Sequence, residues 1–137
     1  MSTKGFTAEE RAAMKARVRE EKALKTREAG EAALREAIAA MPEPDRTIAA
    51  GIDAIVTANA PELMPKTWYG MPAYAKDDKV VCFFQPASKF KARYGTLGFQ
   101  DSANLDDGEL WPVAYAVAEL TPAAEARIAE LVQRAVS

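Results

Sequence analysis

Hydrophobic positions recur at helical spacing near both ends of the chain and at strand spacing in a block between them. Thr7-Ala8-Glu9-Glu10 has the form of a capping box, with a threonine hydroxyl set to accept the N–H three residues on. The helix expected behind it, Ala8 to Arg27, is built from strong helix formers, but its apolar stripe is thin. Met14 and Val18 stand four apart, while Leu24 falls off their line. Such a helix is either a peripheral one, solvated on most sides, or an arm completed by a partner. Gly30 is read as an interruption, with a second helix from Glu31 carrying Leu34, Ala37, Ile38 and Met41 toward the core. Pro42 stops that helix, and a third begins near Pro44, with Asp45 close to the positive end of its dipole. Ile48, Ile52, Ile55 and Val56 form its inner face. The two helices are expected to pack as an antiparallel pair around Pro42-Glu43-Pro44.

From Lys66 the pattern changes to aromatic and β-branched strands. Lys66-Thr67-Trp68-Tyr69 reads as a short strand closed by Gly70-Met71-Pro72. Ala73–Lys76 and Lys79–Phe84 flank Asp77-Asp78, a hairpin turn. The second of these strands is apolar on both faces, which predicts a central place with cover on each side. Phe90, Ala92, Tyr94 and Thr96 alternate with Lys89, Lys91 and Arg93, predicting a further strand with one packed and one wet face. After a turn-rich loop from Gln100 to Glu109, Val113, Tyr115 and Val117 alternate with alanines as a last strand. Thr121-Pro122 then opens a final helix with Ile128, Leu131, Val132 and Ala135 inward. Strands grouped together predict an α+β fold: a mostly antiparallel meander of about four to five strands, with N-terminal helices and one C-terminal helix. The expected division is a peripheral helix over residues 1–29 and one domain over residues 30–137.

A chain of 137 residues, 49% hydrophobic and 28% charged, can bury one real core. No apolar run approaches the roughly 20 residues of a membrane span, and the first residues lack the pattern of a secretory signal. A single cysteine, Cys82, suits a reducing cytoplasm. A net charge of −2 draws the protein toward neither nucleic acid nor an acidic membrane. The chain has no histidine, which closes Ser-His and Cys-His nucleophile pairs and His-based zinc sites. The reading is therefore a protein that is not an enzyme, although carboxylate or lysine chemistry would stay open to it.

Several groups are candidates for binding. Trp68, Met71 and Tyr74 concentrate around a tight turn and either wall a small-molecule pocket or close the end of the core. Lys89, Lys91 and Arg93 would stand about 7 Å apart on one strand face, either as an anion site or as a solvated surface. Their aromatic neighbours would face the other way, against single-stranded nucleic acid. Asp101, Asp106, Asp107 and Glu109 are oxygen donors of the kind that holds hard cations, or simply turn residues. Cys82 lies among apolar residues, where a thiol is inert.

Met41-Pro42-Glu43-Pro44-Asp45, Ala60-Pro61-Glu62, the Lys66–Tyr74 segment with its Trp-x-x-Met-Pro core and the Lys79–Phe84 strand together resemble the YdhG-like family, from about Glu31 to the C-terminus. The resemblance implies a small α+β fold likened to frataxin, and iron as a cargo, since some members are described as intracellular iron chaperones. The chain departs from the frataxin pattern in its first helix, which mixes Lys and Arg with Glu and has no acidic ridge. Three readings follow: an iron or metal carrier, a small-molecule or anion-binding module near Trp68, and an adaptor or homodimer built through the first helix.

Overall fold

The computed structural model describes residues 7–137. Three helices and five strands follow one another as α1 (Ala8–Ala39), α2 (Asp45–Asn59), β1 (Met64–Trp68), β2 (Met71–Lys76), β3 (Lys79–Gln85), β4 (Gly95–Phe99), β5 (Ala114–Val117) and α3 (Pro122–Ala135). The strands form one antiparallel sheet in the order β1-β2-β3-β4-β5, so the fold is α+β, as the grouping of strands predicts. No helix among the described residues is long and apolar enough to cross a membrane.

The start of each helix is fixed by residues close by in the chain. Thr7 Oγ1 accepts the Glu10 N–H at 3.1 Å, and Thr121 Oγ1 accepts the Ala124 N–H at the same distance. At the start of α2 the N-cap position is Pro44, which has no capping side chain, and Glu43 just before it accepts both the N–H and the hydroxyl of Thr47. These bonds hold the Glu43 carboxyl below the usual glutamate range.

The first difference from the sequence reading lies in α1, which runs unbroken through Gly30 for 32 residues. The expected division at residues 29–30 thus falls inside one helix. Gly30 is there for closeness. A β-carbon on it would stand 2.0 Å from the Pro65 carbonyl oxygen, so the helix can lie on β1 only because that side chain is missing. Glycine costs a helix interior about 1 kcal/mol relative to alanine, a local penalty the packing overrides.

Two hairpins of two residues join the first three strands. Tyr69 and Gly70 have φ of 52° and 75°, and Asp77 and Asp78 have φ of 52° and 63°, the left-handed pair that matches the twist of the flanking strands. Met71 and Pro72, expected in the first turn, belong instead to β2, opposite Trp68 and Thr67. β3 lies at the centre, as its apolar composition requires. Its cover is helical on one face only: Tyr74, Cys82, Phe84, Leu97 and Phe99 join the cluster of Leu34, Ile52, Val56, Leu131 and Val132. On the other face Trp68 packs edge-on against Phe83 and Tyr69, each with ring centroids 5.1 Å apart. Gly98, opposite Phe83, leaves room for that ring.

Because the helix meets the strand backbone at Gly30, Gly30→Ala is expected to destabilise by about 1–3 kcal/mol, the usual cost of overpacking, and not to stabilise as alanine does in an exposed helix. A thermal melt in which Gly30→Ala matches or exceeds the parent would show that α1 can lift off β1 freely.

Candidate functional site

The segment predicted as a strand through Phe90 and Tyr94 is a loop, and β4 begins only at Gly95. The cause is a long-range partner. Asp45, at the start of α2, is buried and turns its carboxylate away from its own helix toward residues 87–88. Oδ1 accepts the Ala87 N–H at 3.1 Å, and Oδ2 accepts the Ser88 N–H at 3.0 Å and the Ser88 hydroxyl at 2.6 Å. The turn so capped continues with Ala92 N–H donating to the Ala87 carbonyl and with Lys91 at φ 52°. Burial opposes ionisation of Asp45, but the hydrogen bonds from Ser88 and Ala87 outweigh it and hold the carboxyl below the usual aspartate range. The single-face array of Lys89, Lys91 and Arg93 does not form. Lys89 Nζ donates to the Tyr69 carbonyl at 2.7 Å, and Arg93 lies over the Tyr94 ring at 5.4 Å. All three side chains are exposed.

The aromatic trio divides too. Residues 71 and 74 are an odd number of positions apart, so they point to opposite faces of β2. Met71 lies with Trp68 on the face away from the helices, and Tyr74 is buried among the helices. The acids of the loop stay apart: Asp101, Asp106, Asp107 and Glu109 are exposed, and no three His, Cys, Asp or Glu side chains among the described residues are grouped to hold a metal ion. Cys82 is fully buried, and burial pushes its thiol up to about 12.

What the sequence reading missed is a cleft between α1, α2 and the start of β1. It encloses about 450 Å³ and is walled by Arg27, Glu31 and Arg35 of α1, Asp53 and Thr57 of α2, Pro65 of β1 and Tyr74 of β2. The floor is set by one hydrogen bond: the Tyr74 hydroxyl donates to Asp53 Oδ1 at 2.8 Å. Burial first, then the neighbouring Asp53 charge and this bond, raise the Tyr74 phenol far above its ordinary value, so it stays a donor at every physiological pH. Asp53 Oδ2 accepts no hydrogen bond among the described residues and remains open to a ligand. Arg27 forks to the Leu63 and Pro61 carbonyls, both at 3.3 Å, and ties α1 to the chain leading into β1. Arg35 stays in the open, paired only loosely with Glu31 at 3.9 Å. The cleft thus offers one half-satisfied carboxylate beside a locked phenol, with an exposed, loosely paired guanidinium at the rim. Its sequence signal is slight: Asp53 borders the apolar face of α2 beside Ile52, and the charge on that face itself is the buried Asp45.

Comparison with family models, with curated proteins and with solved structures gave no match to this chain, so the resemblance to the YdhG-like family rests on its sequence features alone.

Replacing Asp45 by Ala would leave two N–H groups of the 87–88 turn without their acceptor, at about 1–3 kcal/mol for a buried unmet donor. Since the folded carboxyl titrates below the unfolded one, its contribution is complete above the ordinary aspartate range and is lost as pH falls through the lowered value. Urea midpoints for Asp45→Ala and parent should therefore differ at pH 7 and converge toward the acid limb. An equal gap at both ends would mean that the charge of Asp45 does nothing.

Proposed function

We propose that the chain is a non-enzymatic binding protein of a reducing, cytoplasmic compartment, and that its ligand site is the cleft above Tyr74. The ligand is a small polar molecule with an ammonium or hydroxyl donor for Asp53 Oδ2 and an acidic group for Arg35. The observation that carries this reading is the Tyr74–Asp53 bond. It fixes one carboxylate oxygen on a protonated phenol and leaves the other without a hydrogen bond among the described residues, in a side chain that lines about 450 Å³ of cleft. Ligand sites are commonly of this size, largely preformed, and provided with a few placed polar groups. A phenol held protonated orients a partner and does not abstract a proton, which favours holding over transformation.

Iron, the cargo that the resemblance implies, is the rival, and the four exposed loop acids are its nearest ligands. Its support is weaker, because those carboxylates are not gathered into a group.

Thermal-shift measurement against single amino acids, small amines, hydroxy acids and, anaerobically, ferrous iron separates the two. A zwitterionic or amine ligand is expected to raise the melting temperature. Asp53→Asn is expected to weaken that ligand at least about tenfold, roughly 1.4 kcal/mol, while leaving the fold intact. Stabilisation by iron alone, undiminished in Asp53→Asn and lost when Asp106 and Asp107 are changed, would transfer the function to the loop acids. No response to any probe would remove the cleft as a site.

A further inference from the structure

The half of α1 before the body of the domain has no partner among the described residues. From Ala8 to Lys25 the helix extends about 27 Å at the rise of an α-helix, and every described side chain on it is exposed. Its residues are not distributed evenly. Arg11, Lys15 and Lys22 fall on one side together with Met14 and Val18, positions separated by three, four or seven. Met14 and Val18 are 40% and 63% exposed. The side that faces the body farther along α1, marked by Leu34 and Ile38, is the opposite one, so this stripe points outward.

The charge of the molecule is divided in the same way. Residues 8–27 hold seven Lys and Arg against four Glu, a surplus of three positive charges. Residues 28–137 hold ten Lys and Arg against sixteen Asp and Glu, a surplus of six negative charges. A polyanion attracted to the helix would meet an acidic body beside it, whereas another copy of the chain offers both signs at once. The body also has a surface of matching form. In the segment before β5, the exposed Asp106, Asp107 and Glu109 run directly into Leu110, which is 91% exposed, and Val113, which is 45% exposed. Apolar residues edged by acids there correspond to apolar residues edged by bases on the helix. The two do not meet within one chain as it is folded: the described side chains of the arm are all exposed, α1 packs on β1 and β2, and β5 is the far edge of the sheet, about 19 Å away at four strand spacings.

We propose that the outer stripe of α1 is a docking arm for a second copy of this chain, in which Met14, Val18 and their flanking cations seat on the acidic segment 106–113 of the other copy. Two such contacts, made reciprocally, close a dimer.

Sedimentation equilibrium of the full chain tests this. The parent is expected to have twice the mass of the chain at about 0.1 M salt, and to dissociate toward monomer near 1 M, where the screening length falls from about 10 Å to about 3 Å. The paired reversal Lys15→Glu with Lys22→Glu should give a monomer, and so should Asp107→Lys with Glu109→Lys. Circular dichroism checks that both stay helical. Mixed together, the two variants should regain the double mass, because each acidic arm then meets a basic segment and each basic arm an acidic one. A parent that is monomeric at about 0.1 M salt would overturn the proposal, as would a dimer indifferent to the arm reversal or a mixture that stays monomeric. A monomeric parent whose arm binds a DNA duplex would give the arm a different partner.

Discussion

The contact between the backbone of α1 and the backbone of β1 at Gly30 governs most of what this molecule presents to its surroundings. A glycine there lets a long helix lie directly on a strand edge, with nothing between the helix axis and the Pro65 carbonyl. On the C-terminal side of that point, Leu34 and Ile38 enter the common core with α2 and α3. Between α1 and α2, where the helices part over the entry to β1, lies the cleft, braced by Arg27 on two carbonyls. On the N-terminal side the same helix, still hydrogen-bonded within itself, leaves the body and continues into solvent. Cleft and arm are consequences of one close approach.

Two aspartates on α2 show how position decides what a carboxylate does. Asp45 is buried, and both of its oxygens are used by the 87–88 turn, so its charge is spent within the fold. Asp53, two turns later on the same helix, gives one oxygen to Tyr74 and keeps the other. A fully satisfied carboxylate orders a loop, and a half-satisfied one beside a hollow has capacity left for a ligand. Tyr74 supports this division because burial keeps its phenol a donor, fixing which oxygen of Asp53 is occupied.

The face of the sheet away from the helices is of another kind. Trp68, Tyr69 and Phe83 pack edge-to-face there, over a strand whose Gly98 leaves space for the Phe83 ring, and Lys89 reaches across to the Tyr69 carbonyl. These aromatics stabilise the hairpin that carries them. They enclose no pocket with Tyr74, which the pleat sends to the opposite face.

Local pattern alone was enough for the helices at residues 45–59 and 122–135, the hairpin at Asp77-Asp78, the central place of β3 and the inert setting of Cys82, because each rests on spacing, capping or turn chemistry within a few residues. The same local logic mistook Gly30 for a break, since intrinsic propensity cannot register a strand that passes 2.0 Å from an absent β-carbon. It also drew a strand through Lys89, Lys91 and Arg93, since alternation is blind to a carboxylate more than forty residues away that caps the turn first. The cleft is the clearest case: Arg27, Asp53 and Tyr74 come from three elements, and no spacing relates them. Sequence determined which elements form and which of their faces are apolar, because those depend on neighbours along the chain. Beyond the helix caps, tertiary structure decided which charged groups were used up in bonds and which kept capacity, because satisfaction of a charge depends on whatever the fold brings within about 3 Å of it.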